Sequence, residues 1–433
     1  MLFTKIDYLN SDFEPCTGFV ATEGSQIAYV GPGDPRLLPD APSYGQEYDG
    51  RGRLLVPGLV NAHTHAPMTL LRGYAENLSL HRWLNERVLP FEAKMTDDEA
   101  HPATVLAIAE MLRFGTVSFT DMYYFDMARI RAIEETGIKA NLCSGLVCFD
   151  ESTYDELPNK AINEALVREW HGAFDGRLRI DLNIHAEYTT TPRVVEALGQ
   201  AAARMGVRTH IHLSETRSEH EECKQRHKGM TPTAYFESLG FFEAPCTAAH
   251  GVHTEPGDWE TLARRGVTVA CCPASNLKLA SGFAPVPLML DAGVNVALGT
   301  DGAASNNSHN LFRELYLLAL VNKGAQGDPT LVSPRQALAA ATVNGARSQG
   351  RGDCGSIEIG ARADLAVLKS DVPWMCPVHD VLNNVVYAAQ GSDVVLTMVD
   401  GKVLYQDGIW PTIDVERALR EVQSAATVIR GRL

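Results

Sequence analysis

The sequence predicts an α/β chain: a closed (β/α)₈ TIM-like barrel joined to a small β-sandwich domain built from both chain ends. Three observations predict it. Eight short apolar runs alternate with helical patterns through the middle of the chain. Strand-like segments punctuated by Gly and Pro occupy both ends. Metal-ligand or acid–base residue types stand at the ends of four of the eight runs.

The runs are 54–60, 115–120, 139–148, 178–184, 207–213, 246–250, 267–272 and 294–299. Helical patterns between them include Asp97 to Phe114, Arg193 to Met205 and Asp258 to Arg265. Alternation of this kind implies a parallel sheet, and eight units in about 300 residues suit a closed barrel. The catalytic barrel is assigned to 57–351, and the β-domain to 1–56 with 352–433. In the latter, Gly18 to Thr22, Gln26 to Val30 and Tyr48 to Leu55 read as strands, as do Ala363 to Leu368 and Val394 to Val399. Asp400-Gly401 is a hairpin turn signal leading into Lys402 to Tyr405. The longest insertion, Ala66 to Ala100, follows the first run, contains Trp83, Leu84 and Phe91, and is placed to form a lid.

Bulk properties exclude several function classes. Hydrophobic residues make up 45% of the 433, enough for a large core. Lys+Arg minus Asp+Glu is 38 − 53 = −15, which argues against nucleic-acid and anionic-membrane partners. The nine cysteines are odd in number and lack a C-x-x-C pair, as expected of reduced core thiols. No signal-peptide pattern follows Met1 and no apolar run is long enough for a membrane span, so a cytoplasmic protein is expected.

A barrel places its active site where its strands end. The first run leads into His63-x-His65, and side chains at i and i+2 of a strand share a face. The fifth gives His210-Ile211-His212-Leu213-Ser214-Glu215, the sixth ends at His250, and the eighth leads into Gly299-Thr300-Asp301-Gly302. His63, His65, His212 and Asp301 would make a mononuclear site of three nitrogens and a carboxylate. That set suits one zinc ion per subunit, with ferrous iron as the alternative. A binuclear site would need a bridging ligand, and the fourth run ends in His185 with no lysine. His210, one layer deeper than His212, reads as an interior hydrogen-bonded residue, and His253 as a loop residue.

A metal-activated water attacking an aromatic C–N carbon requires a proton at the ring nitrogen. Glu215, just past a ligand, is the best-placed acid if burial raises its pKa. His250 can polarise the attacking water or the leaving amine, and Asp301 can accept the water proton as well as ligate.

At these residues the sequence resembles the amidohydrolase superfamily, specifically the deaminases of S-adenosylhomocysteine, 5′-methylthioadenosine and related adenosines. The resemblance runs over nearly the whole chain. Its motifs are Pro57-Gly58-Leu59-Val60-Asn61-Ala62-His63-Thr64-His65, Met68-Thr69-Leu70-Leu71-Arg72-Gly73, Pro273-Ala274-Ser275-Asn276-Leu277-Lys278-Leu279 and Gly299 to Asn307. It implies the same ligands and the same proton-transfer residues. It further implies that Glu92, in Leu89-Pro90-Phe91-Glu92, binds ribose hydroxyls, that His185 contacts the substrate, and that Ser305 lies at the pocket edge. One carboxylate can accept hydrogen bonds from both vicinal hydroxyls, which fits a nucleoside. Trp83 is expected to pack on the substrate or anchor the lid.

Relatives that use S-adenosylhomocysteine can carry two arginines near the exit of the third strand. Here that region reads Ser144-Gly145-Leu146-Val147 and, further on, Asn159-Lys160-Ala161, with Lys160 the single cation. A lysine is a point charge without a bidentate fork. The substrate expectation therefore shifts toward 5′-methylthioadenosine, adenosine or 5′-deoxyadenosine. Two other readings compete. A deaminase of guanine or cytosine type, or a triazine hydrolase, would share the metal set but gain nothing from Glu92. A non-catalytic relative would have lost ligands that this chain keeps. The expected partner is a small-molecule nucleoside, and a homo-oligomer is compatible with the chain.

Overall fold

The computed structural model describes residues 1–38 and 44–433. The N-terminal part forms β1 (Leu2–Leu9), β2 (Pro15–Glu23), β3 (Gln26–Gly31), β4 (Glu47–Asp49) and β5 (Arg53–Pro57). Then come β6 (Leu59–His65), β7 (Thr116–Tyr123), β8 (Lys139–Ser144), β9 (Leu178–Asn183), β10 (Thr209–Leu213), β11 (Cys246–His250), β12 (Thr268–Cys271), β13 (Asn295–Leu298) and the short β14 (Asp301–Gly302). The C-terminal part supplies β15 (Leu365–Lys369), β16 (Val394–Val399) and β17 (Lys402–Gln406).

Strands β6 to β13 pair in sequence order and in parallel. After Gly299 and Thr300 the chain continues as β14, which pairs with β6 through Asp301↔Thr64 and Gly302↔His65 and brings the sheet back onto its first strand. Both faces of the sheet are covered: β7, β8, β11 and β12 are buried along their whole lengths, polar residues included. Crossover helices fill the outer layer. Two of them, Pro192–Met205 and Pro256–Arg265, start with proline in the first turn and stop at a left-handed glycine, Gly206 and Gly266. The helix Asp97–Arg113 opens with a capping box in which Glu99 accepts from the Thr96 N–H at 2.9 Å.

Both chain ends contribute to one hydrogen-bonded sheet of eight strands, in the order β17-β16-β15-β5-β1-β2-β3 with β4 on β1. β5 is the bridge, parallel to β1 and antiparallel to β15, so the hydrogen bonding runs through all eight without dividing them into two sheets. Phe3, Ile6, Val20, Ile27, Leu55, Leu365, Val367 and Met398 gather on it into one apolar cluster. Asp400 and Gly401 both have positive φ, as their hairpin turn requires.

Three sequence expectations need correction. The run 54–60 is two strands, with Arg53–Pro57 in the chain-end sheet and Leu59–His65 in the barrel. The chain changes sheets at Gly58, where a Cβ would lie 2.3 Å from a Val117 methyl. The expected strand Tyr48 to Leu55 is broken by a turn at Gly52 (φ +69°). The helix Val415–Arg432 and strand β1 were not anticipated. That helix packs on the helix Asp97–Arg113 and the turn Ala66–Leu71, and its Val422, Ala425 and Ile429 share one apolar cluster with Trp83, Val88 and Phe91 of the insertion after β6. No helix among the described residues is long and apolar enough to cross a membrane.

Candidate active site

His63, His65, His212 and Asp301 come from β6, β10 and β14 and converge at the C-terminal end of the barrel. Each imidazole is oriented by its Nδ1. That atom of His63 pairs with His210 Nε2 at 2.8 Å, that of His65 with the Met122 carbonyl at 2.5 Å, and that of His212 with the His185 carbonyl at 2.8 Å. The three Nε2 atoms are left to face one another. His65 Nε2 lies 3.4 Å from His212 Nε2 and 3.2 Å from Asp301 Oδ1, and His63 Nε2 lies 3.6 Å from the same oxygen. Metal–ligand bonds of about 2.1 Å in tetrahedral array have ligand–ligand edges of about 3.4 Å, so the spacing fits a small divalent cation. His63 Nε2 is buried without a hydrogen-bond partner, which a ligand role would satisfy. Burial pushes His63 down to about 4 and His212 well below the ordinary histidine range, so both stay neutral lone-pair donors. Asp301 is buried, which raises its pKa, but the facing imidazoles of His63 and His65 outweigh this and hold it well below the carboxylate range.

The backbone works to present these groups. Gly299 sits against His63, where an added Cβ would lie 2.8 Å from the histidine Cβ. Asn61 accepts from the Thr300 N–H and donates to its hydroxyl, tying the end of β13 to β6. Asp301 (φ 58°) and His250 (φ 73°) both adopt the left-handed conformation, which is uncommon outside glycine and turns the chain where the strands end. Ser275 and Ser305 donate to Asp301 Oδ2 at 2.6 and 2.7 Å, fixing the carboxylate so that Oδ1 faces the histidines.

Glu215 and His250 lie beside this set. His250 Nε2 is 3.8 Å from Glu215 Oε2, and His250 Nδ1 donates to the Asn276 side-chain oxygen at 2.9 Å. The second bond leaves Nε2 free to exchange a proton with a water or amine. Glu215 is buried, and burial raises its pKa, aided by the charge of Asp301. Its N–H is held by the Glu219 carboxylate at 2.7 Å, and Ser281 Oγ reaches its Oε1 at 3.4 Å. Asn276, Ser275, Ser281 and Glu219 carried no role in the sequence reading. The first two lie in the motif Pro273 to Leu279, which was the available signal.

A cavity of about 1260 Å³ opens over the cluster. His65, His212, Glu215, His250 and Asp301 line it, and Glu92, Trp83 and His185 line its walls. Glu92 accepts a 2.5 Å hydrogen bond from the Tyr123 hydroxyl, and burial raises its carboxyl to about 7. His185 is neutral, pushed down to about 4 by burial and by the neighbouring histidines. Trp83 is 6% exposed and packs into the lid cluster. Two expected substrate contacts are placed elsewhere. Ser305 does not line the cavity, because the turn after β14 folds it back beneath Asp301. Lys160 does not line it either, because its ammonium is paired with Asp155 at 2.9 Å on the helix Pro158–Trp170. His210 is fully buried against His63, and the half-buried His253 donates to the Ser281 carbonyl at the cavity wall.

The sequence pattern of the amidohydrolase family matches residues 54–404. The chain is 43% identical over 406 residues to the 5-methylthioadenosine/S-adenosylhomocysteine deaminase of Moorella thermoacetica, covering 94% of both. It is 43% identical over 425 residues to the enzyme of the same name from Desulforudis audaxviator, covering 97% of this chain and 96% of the other. Among solved structures, an adenosine deaminase from Xanthomonas campestris with bound zinc superposes with a TM-score of 0.93 at 32% identity, covering 99% of this chain and 98% of that one. An atrazine chlorohydrolase from Arthrobacter aurescens, complexed with zinc, gives 0.89 at 26%, covering 98% and 99%.

Proposed function

We propose that this chain, which belongs to the amidohydrolase family, hydrolyses an adenosine-type nucleoside to the inosine analogue and ammonia. The observation that carries the proposal is one cavity over a three-histidine, one-carboxylate donor set, with the buried Glu215 and His250 beside it and, on its wall, a carboxylate suited to two hydroxyls. The relatives named as 5-methylthioadenosine/S-adenosylhomocysteine deaminases, and the neighbour named as an adenosine deaminase, support the same substrate class.

One divalent ion per subunit, zinc with ferrous iron as the alternative, would be held by His63, His65, His212 and Asp301 and would supply Lewis-acid activation of a water near neutral pH. The residues of the chain do the rest. Glu215, kept protonatable by burial, takes the proton of the attacking water and delivers one to N1 of the purine as C6 becomes tetrahedral. His250 exchanges a proton through Nε2 with the departing amine, while Asn276 holds its other nitrogen. Asp301 ligates and provides a second acceptor for the water proton. His185, neutral, meets the base, and Trp83 holds the lid over it. Glu92 accepts from the vicinal ribose hydroxyls.

Gly145, Leu146, Val147 and Phe149 line the cavity as an apolar wall, to which we assign the 5′ group. With Lys160 paired to Asp155, that wall favours adenosine, 5′-deoxyadenosine or 5′-methylthioadenosine over S-adenosylhomocysteine. On the same reading 57–351 is the catalytic barrel, and 1–56 with 352–433 a supporting β-sandwich formed as the eight-stranded sheet folds over its apolar cluster. The cytoplasm is the proposed location. Ammonia release from a zinc-loaded sample tests the reaction, and absence of turnover with every adenosine refutes it. The likeness to an atrazine chlorohydrolase favours a second reading, hydrolysis of a free base or s-triazine. Glu92→Gln separates the two, because it should weaken ribosides strongly and free bases little.

A further inference from the structure

The lid segment is anchored by packing, with very little polar attachment. Residues 80–92 form three consecutive helical turns whose Trp83, Val88 and Phe91 sit in an apolar cluster with Met95, Ala100 and Ala103. Inside the segment, Arg82 pairs with Glu86, and Asn85 donates to the His81 carbonyl. Among the described residues, one side-chain hydrogen bond leaves this segment: the Tyr123 hydroxyl donating to Glu92 Oε1 at 2.5 Å.

Tyr123 is built as a fixed post. It is the last residue of β7, is 4% exposed, and is the one barrel-strand residue in the lid cluster among those described. Its carbonyl accepts from the Gly145 N–H at 2.9 Å and from the Arg129 guanidinium at 2.9 Å. Arg129 is fully buried and paired with Asp121 at 3.0 Å and Asp126 at 2.6 Å. The Tyr123 ring also lies 6.1 Å from that of His65, so one side chain spans from the metal-ligand set to Glu92.

We infer that Tyr123 is a positioning residue that sets the distance between the reacting centre and Glu92, and so makes the enzyme selective for substrates with vicinal ribose hydroxyls. This rests on the nucleoside reading above. Packing of Phe91 holds the backbone of the segment, but the Glu92 side chain beyond it has no other polar partner among the described residues to fix its carboxylate. The hydroxyl occupies one lone pair of Oε1 and leaves the others for the substrate. A free base, or a nucleoside lacking both hydroxyls, gains nothing from the arrangement.

The test compares wild type, Tyr123→Phe, Glu92→Gln and the double variant, all zinc-loaded, on adenosine and 2′,3′-dideoxyadenosine. Phenylalanine keeps the ring in its cluster. Tyr123→Phe is expected to raise KM for adenosine about tenfold with kcat changed about twofold or less, and to leave the dideoxy substrate unchanged. In the Glu92→Gln background it should add no further loss on adenosine. Equal loss on both substrates, no loss on either, or full additivity in the double variant would overturn the assignment. A second measurement does not depend on changing Tyr123: Glu92→Ala should speed amide exchange across 80–92 severalfold in the substrate-free protein. Unchanged exchange would overturn the tether. If wild type handled the two nucleosides equally well, the ribose reading itself would fail, and the exchange result would judge the tether alone.

Discussion

Riboside binding should weaken as pH falls through neutrality, and the size of the effect follows from Glu92. Burial in the cavity wall raises its carboxyl from 4.5 to about 7. The ionised form accepts hydrogen bonds from two hydroxyls far more strongly than the protonated one, which spends one oxygen as a donor. The apparent KM therefore scales as one plus the ratio of protonated to ionised carboxyl, which is about 1.1 at pH 8 and about 11 at pH 6 for a pKa near 7. KM for adenosine should rise about tenfold over that interval. Titration of Glu215 or the histidines affects every substrate, so the ratio of KM for adenosine to KM for 2′,3′-dideoxyadenosine isolates Glu92. Steady-state rates at half-unit pH steps give the ratio directly. Glu92→Gln should flatten it. The same shift carries a stability consequence: a carboxyl with a raised folded pKa costs stability above about 7 and costs nothing below about 4.5. Glu92→Gln should therefore raise the melting temperature at pH 8 and leave it unchanged at pH 4.5. A pH-independent KM ratio in wild type would refute the reasoning.

Glu215→Gln should lower kcat by about 10²- to 10⁴-fold with KM little changed, read by stopped ammonia assays, because the variant still fills the site but cannot shuttle a proton. Ser275→Ala combined with Ser305→Ala should weaken metal retention about 10- to 100-fold, measured as metal left after dialysis against a competing chelator, since both hydroxyls orient Asp301. Gly58→Ala should destabilise the fold by about 1–3 kcal/mol in urea denaturation, because its Cβ would lie 2.3 Å from a Val117 methyl at the point where the chain passes between sheets.

The parts of the site that the sequence exposes are those fixed by strand periodicity. His63 and His65 share a face because they are two apart on one strand, and His212, Glu215, His250 and Asp301 stand at or just beyond strand ends, so a barrel brings them together. What the sequence conceals depends on turns and on long-range pairing. Ser305 follows Asp301 by four residues, and only the compact turn there converts a pocket-edge residue into a support for the carboxylate. Lys160 lies on a helix whose register aims it at Asp155. Tyr123 ends a fully buried strand, and nothing local marks its hydroxyl as the partner of Glu92, 31 residues earlier. The run 54–60 hides a change of sheet, because both halves are equally apolar and only the Gly58 approach to Val117 separates them. The C-terminal helix lacks a strand partner, and its role in backing the lid follows from packing alone.

The central claim is that a metal-assembled barrel site and a ribose-binding carboxylate act on the same molecule. Initial rates of the zinc-loaded protein on adenosine, 5′-deoxyadenosine, 5′-methylthioadenosine, S-adenosylhomocysteine, guanine, cytosine and a chlorotriazine test it most directly. The account predicts turnover of the nucleosides with ammonia release, the apolar 5′ groups ahead of S-adenosylhomocysteine, and little or no rate on the other three. Turnover confined to a free base or the triazine would contradict it.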